Sequence, residues 1–239
     1  MSKVALITGA NKGIGLETAR QLGRDHGFTV LIGARDEKRG QDAADTLKGE
    51  GLDAHFVQID PTDADSVAAA AKQVEEKFGK LDVLVNNAGT MVDGDFAPPA
   101  QVATQVLRDT FDINVFGLHE VTRVFWPLLE KSDAARLVNV SSGLGSLTWH
   151  SDGTLADYKV TAYDASKAAV NMLTTHYAHQ WKDTPHRANT IHPGSVKTDL
   201  NANGDLTVEE GAKTSVDLAT IGADGPNGGF FHLGNTLPW

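Results

Sequence analysis

The sequence predicts a single-domain α/β fold: a doubly wound parallel sheet of about seven strands flanked by helices. Three observations carry that expectation. Short runs of branched apolar residues recur along the chain, amphipathic stretches of helical period separate them, and a glycine-rich turn joins the first run to the first such stretch. Strands that are apolar throughout suit a parallel sheet buried under two helical layers, because a half-exposed antiparallel sheet would alternate apolar with polar.

Taken in order, residues 4–7 form the first strand and residues 14–24 the first helix. Strands over 28–32 and 55–59 alternate with helices over 37–49 and 63–78, the latter opened by Asp63 as N-cap and stopped at Gly79. A strand at 83–85 precedes helices at 98–111 and 113–130, and a strand at 137–140 precedes a helix at 162–181. The sixth strand spans 188–191, Thr207 caps a helix over 207–220, and residues 228–231 make a seventh strand followed by an anchored tail. No repeat or long linker divides the chain, so residues 1–239 read as one nucleotide-binding unit.

Composition narrows the functions available. There is no cysteine, which excludes disulfides and thiolate metal sites, and His176 with His179 finds no acid or thiol to complete a metal site. The formal charge of −10 argues against nucleic acid and anionic membranes as partners. No apolar run approaches the roughly 20 residues that span a bilayer. The first residues run straight into a strand in place of a signal peptide, so a cytoplasmic location is expected.

The first strand leads into Thr8-Gly9-Ala10-Asn11-Lys12-Gly13-Ile14-Gly15 and then a helix, the Rossmann-type arrangement for phosphate. Glycines let the backbone approach closely, and the helix N-terminus offers free N–H groups with a partial positive charge. The second strand ends near Arg35, twenty residues beyond Gly15, where a ribose-reading side chain emerges. An acid there would suit NAD(H). Arginine, with Lys12 across the turn, suits the 2′-phosphate of NADP(H), although Asp36 is a competing partner for Arg35.

Tyr163 and Lys167 stand four residues apart at the start of a predicted helix, on one face. A lysine cation beside a phenol favours the phenolate and lowers the tyrosine pKa, which suits proton exchange with a carbonyl or alcohol oxygen. Ser142 follows a buried strand at its carboxyl end, where ligands of open α/β sheets bind, and its hydroxyl can orient a substrate oxygen.

Together, Thr8-Gly-x-x-x-Gly-Ile-Gly15, Asn86-Asn-Ala-Gly89, Ser142 and Tyr163-x-x-x-Lys167, in that order, make the chain resemble the short-chain dehydrogenase/reductase family. Asn11-Lys12-Gly-Ile-Gly15, Ala34-Arg35-Asp36, residues 82–89 and Pro193-Gly-Ser-Val-Lys-Thr-Asp199 make it similar to the NADPH-dependent carbonyl reductases within that family. The resemblance implies that Tyr163 donates a proton to the carbonyl oxygen, Ser142 hydrogen-bonds that oxygen, and Lys167 holds the nicotinamide ribose and tunes Tyr163. Asn114, otherwise a helix-kink or capping residue, matches the member that anchors a water relay to the lysine. Asn87, Ala88 and Gly89 fall beside the adenosine ribose, though the turn from Asn86 also reads as a brace of the central sheet. Pro193, Gly194, Val196 and Thr198 match the nicotinamide end, Thr198 at the carboxamide. Asp60 matches an adenine-contacting acid or simply ends the third strand, and Pro61 after it has no N–H to offer the adenine.

Ser142 and Tyr163 are 21 positions apart, a stretch that reads either as a substrate-side excursion or as a self-packed loop. Met91, Gly143, Trp149, His150 and Tyr158 are the candidate pocket residues, with residues 91–96 and 195–206 as further walls. The expected activity is reduction of a small aldehyde or ketone with NADPH. An oxidative alcohol dehydrogenase using NAD(P) is the alternative, and a nonenzymatic NADP-binding sensor stands against an intact catalytic set. The resemblance implies a homodimer or homotetramer, with a monomer also open.

Overall fold

The computed structural model describes residues 2–92, 94–157 and 160–239. Eight strands form one sheet in the order β3-β2-β1-β4-β5-β6-β7-β8. These are β1 (Val4–Thr8), β2 (Thr29–Ala34), β3 (Ala54–Gln58), β4 (Val83–Asn86), β5 (Arg136–Val140), β6 (Arg187–Ile191), β7 (Phe230–His232) and β8 (Asn235–Thr236). The first seven pair in parallel, and β8 alone pairs antiparallel, on β7. The expectation of about seven strands omitted β8, two residues formed where the tail turns back at Gly234. Two residues have no apolar period to read.

The helices are α1 (Gly13–His26), α2 (Glu37–Gly49), α3 (Ala64–Phe78), α4 (Thr104–Phe111), α5 (Leu118–Glu130), α6 (Leu147–Ser151), α7 (Thr161–Gln180) and α8 (Val208–Thr220). Successive strand residues serve opposite faces. Ala5 and Ile7 of β1 join Leu22 of α1, Leu47 of α2 and Val216 of α8 in one core, while Val4 and Leu6 join Val74 of α3, Phe125 of α5 and Ala178 of α7 in the other. Leu6, Ile7, Leu22 and Phe125 are fully buried, and each such side chain contributes roughly 1.5–3 kcal/mol.

Two predicted helices differ from what forms. The one expected over 98–111 opens as a 3-10 turn at Pro99–Gln101, since Pro99 holds Pro98 in extended backbone at ψ 140°, and after extended Val102 and Ala103 α4 itself starts at Thr104. The gap expected at 112 is absent. A π-helical segment, Asp112–Gly117, carries α4 continuously into α5.

The helix ends follow local chemistry. Asp63 accepts hydrogen bonds from the amides of Asp65 and Ser66, and Gly79 adopts φ +74° to stop α3. Thr207 and Glu210 make a reciprocal capping box at α8, with the Glu210 carboxylate 2.9 Å from the Thr207 amide and the Glu210 amide 3.3 Å from the Thr207 hydroxyl. Thr207→Ala is expected to cost about 1 kcal/mol, lowering Tm by about 2–4 °C in a calorimetric scan. An unchanged Tm would show that this cap adds nothing to the stability of α8.

Candidate active site

The strand order reverses between β1 and β4, and at that carboxyl edge a cleft of about 670 Å³ opens. Gly9, Asn11, Lys12, Gly13, Ile14 and Gly15 form one wall. Thr8 pins this turn to the end of β4: its hydroxyl accepts the amides of Asn87 and Ala88, both at 3.0 Å, and its carbonyl accepts from Asn87 Nδ2 at 2.8 Å. The fit is so close that a Cβ on Gly15 would lie 2.5 Å from Asn87 Nδ2 and one on Gly9 3.0 Å from the Ala88 Cα. Lys12, the N-cap of α1, supplies no side-chain acceptor, and no acid stands in the first turn. The leading amides of α1 therefore border the cleft without a protein anion, which is the chemistry of a phosphate cradle.

The turn after β4 braces the sheet and also borders the cleft. Asn86 is 2% exposed and donates to Thr122 and Asn139, bracing β4 against α5 and β5. Asn87, Ala88 and Gly89 line the cleft.

The far end of the cleft is cationic. Arg35 is exposed there, and the Asp36 carboxylate is engaged by the Arg39 amide and guanidinium, at 2.8 and 3.2 Å, and not by Arg35. No ion pair among the described residues includes Arg35. Arg39 also lines the cleft; its position four residues after Arg35, in the first turn of α2, was a signal open to sequence reasoning. Lys12 Nζ lies 2.5 Å from Asp199, an exposed pair of the kind that contributes little to stability. In the turn after β3 the Asp60 carboxylate holds Thr62 at 2.8 and 3.0 Å, and Asp60 lines the cleft beside Pro61.

At the other end stand Tyr163, Lys167, Pro193 and Thr198. Gly194 turns with φ +90° against Leu206, and Val196 is 3% exposed and packs on Gly211; neither lines the cleft. Lys167 Nζ donates to the Val140 carbonyl at 2.9 Å and sits 5.5 Å from the Tyr163 ring centre. Asn114 lies in the π-helical segment, where its Oδ1 accepts the Thr90 amide at 2.8 Å and its Nδ2 donates to the Thr90 carbonyl and to Ser166. Asn114 Oδ1 and Lys167 Nζ converge on Gly89, at 3.4 and 3.5 Å from its Cβ position. The widened turn thus brings an amide and an ammonium to one point.

Burial sets the protonation of this group. It pushes the Tyr163 phenol up to about 12, with Asp164 adding to the rise and a hydrogen bond from Ser142 opposing it. It pulls Lys167 down to about 8. The sequence expects Lys167 to lower the tyrosine pKa; burial instead raises it against the hydrogen bond from Ser142, and Tyr163 is a protonated phenol at neutral pH.

The substrate-side candidates lie apart from the cleft. Met91, Gly143, Trp149 and His150 do not line the cleft, and Tyr158 lies outside the described residues. Gly143 is buried between the rings of Trp149 and His192, and His150 is held by the Leu144 carbonyl at 2.9 Å and by Asp164 at 3.4 Å. Ser142, 8% exposed, heads the short 3-10 turn Gly143–Gly145 and accepts the Leu144 amide. Among the described residues no cluster of three or more potential ligands is arranged for a metal, and no helix is long and apolar enough to cross a membrane.

A family profile described as short chain dehydrogenase matches residues 3–208. The (+)-neomenthol dehydrogenase of Capsicum annuum is 32% identical over 303 aligned positions, covering 97% of this chain and 96% of that protein. The alignment is longer than this chain's 239 residues, so that relative carries segments this chain lacks. The solved structure of salutaridine reductase from Papaver somniferum superposes with a TM-score of 0.82 at 30% identity, covering 97% of this chain and 99% of that one. A short chain dehydrogenase from Escherichia coli CFT073, complexed with NADPH, superposes at 0.85 with 26% identity, covering 98% of this chain and 97% of its own.

Proposed function

The chain belongs to the short-chain dehydrogenase family, and from that membership together with the geometry of its cleft we propose that it reduces an aldehyde or ketone to an alcohol with NADPH. One observation carries the reading: a single cleft has half-buried Tyr163 beside Lys167 at one end and, at the other, Arg35 with no ion-pair partner among the described residues. The reductase names of relatives and the NADPH bound in a structural neighbour support it.

The residues present fit such a dinucleotide. Gly13 lines the cleft at φ +57°, with nothing nearer its Cβ position than Thr198 Cγ2 at 3.8 Å, so the backbone is bare there, and the uncapped first turn of α1 offers its amides to the pyrophosphate. Arg35, Arg39 and Lys12 supply the cations for a 2′-phosphate, against which the exposed Asp199 carboxylate is a weak competitor for Lys12. When bound, NADPH supplies the hydride to the carbonyl carbon. The rest falls to the protein: Ser142 orients the carbonyl oxygen, Tyr163 releases its phenolic proton to that oxygen, and Lys167 provides the positive charge that stabilises the resulting phenolate. Asn114 holds the backbone of Thr90 in place beside Gly89. We place the reaction in the cytoplasm, where a reduced NADPH pool drives it in this direction.

The test is NADPH oxidation across a panel of aldehydes, cyclic ketones, activated ketones and quinones. Wild type is expected to consume NADPH only when a carbonyl is present, and Tyr163→Phe to lose roughly 10²–10⁴-fold of that rate. The wild-type rate is expected to stay level through neutral pH and to decline as pH rises past about 8, where Lys167 sheds its proton while Tyr163 keeps its own. Tight NADPH binding without turnover of any carbonyl would overturn the reading.

Arg35→Ala is expected to lower the preference for NADPH over NADH, measured as the ratio of kcat/KM values, by about 10–100-fold, the worth of one charge-assisted contact. A ratio that did not move would place the 2′-phosphate elsewhere.

A further inference from the structure

The helix that carries Tyr163 and Lys167 begins without a cap of its own. Val160 occupies the N-cap position of α7 and has no side-chain acceptor, yet the first turn is buried: Val160 is 4% exposed and Ala162 0%. Donors left bare in such a place are strongly unfavourable. The acid within the first turn, Asp164, faces His150 and the Val160 backbone and leaves the Ala162 and Tyr163 amides to another acceptor.

The missing acceptor comes from 67 positions earlier in the chain. Asp95, in the loop after β4, accepts the Ala162 amide on Oδ1 at 2.7 Å and the Tyr163 amide on Oδ2 at 2.8 Å. Its side chain is 0% exposed, and no ion pair among the described residues includes it. A fully buried carboxylate without a cation is costly to keep. What offsets that cost here is two charge-assisted bonds and the positive end of the α7 dipole. Gly94, with φ +94°, turns the chain so that Asp95 points inward while the neighbouring Phe96 is 74% exposed.

We propose that Asp95 is the positioning residue for Tyr163, a carboxylate clamp that holds the tyrosine's own backbone amide from the opposite loop. The inference rests on the reading of Tyr163 as the proton donor, but the clamp is a separate claim. Both oxygens are needed because one bond fixes the first turn of α7 and the other fixes the residue that does the chemistry. A phenol displaced by about 1 Å from its partner oxygen loses on the order of 100-fold in rate. The bound loop also carries Asp95 close enough to Asp164 to reinforce the rise that burial gives that acid.

The experiment compares wild type, Asp95→Ala and Asp95→Asn in the full chain by amide hydrogen exchange, by NADPH fluorescence titration, and by kinetics with para-nitrobenzaldehyde as the carbonyl probe. Asp95→Ala is expected to lose exchange protection selectively over residues 160–168 and to lose about 100-fold in kcat, with KM and the NADPH Kd unchanged. Asp95→Asn, which keeps one oxygen acceptor, is expected to recover part of both losses, and it carries the test if the alanine variant does not fold. Unchanged protection over 160–168, or an undiminished kcat in the alanine variant, would overturn the clamp, as would protection lost evenly across the molecule. If wild type does not reduce the probe, the functional reading is what suffers, and the exchange measurement still decides the clamp.

Discussion

The lock between Thr8 and Asn87 is the contact on which the rest of this cleft depends. A parallel sheet delivers its functional groups only at the carboxyl ends of its strands, and those ends separate wherever the strand order reverses. Here β1 and β4 stay joined past their last ladder pair because one threonine hydroxyl accepts two amides and one asparagine amide returns a bond to the threonine carbonyl. The two turns are then so close that Gly9 and Gly15 have no room for side chains. The first turn of α1 is thereby aimed into the cleft on one side, and Gly89 is set beside Asn114 and Lys167 on the other. Phosphate cradle and proton-transfer group are two consequences of one seam.

Desolvation does more at the proton-transfer end than pairwise charge does. Burial favours the neutral forms of both Tyr163 and Lys167, and with ordinary values of 10.0 and 10.5 the two are displaced in opposite senses. Near neutral pH this leaves the phenol fully protonated and the lysine mostly charged. That combination suits a donor that must hold its proton until an oxyanion develops, with a cation in place to receive the phenolate.

Much of this was legible in the sequence because it depends on local rules. Apolar runs located the strands of the sheet, Asp63, Gly79 and Thr207 marked helix ends, and the glycine spacing with Arg35 identified the cleft and its cationic end. What escaped needed distance in sequence or a broken period. The π-helical segment around Asn114 is invisible to a search for 3.6-residue repeats, and β8 is too short for any period. The direction of the Tyr163 shift was missed because the i,i+4 lysine is apparent in the sequence and the burial around it is not. Asp95 escaped for the same reason, since an acid next to a loop glycine resembles any turn residue until the helix it caps has been folded against it.

The substrate end follows a different logic from the cofactor end. The residues that form the cleft sit on strand ends and first helical turns, so the sheet fixes them. The stretch between Ser142 and α7 is built instead from a 3-10 turn and the five-residue α6, with Gly143 between Trp149 and His192, and the backbone of α6 is bound to the tail through the Thr148 amide and the Trp239 carbonyl at 2.8 Å. Such short elements contribute little core, and relatives that keep the sheet can lengthen or shorten them at small energetic cost. The (+)-neomenthol dehydrogenase of Capsicum annuum aligns over more positions than this chain possesses, so it carries segments that this chain lacks. The sheet and the first helical turns thus fix the cleft, while the stretch between Ser142 and α7 rests on short elements bound to the tail.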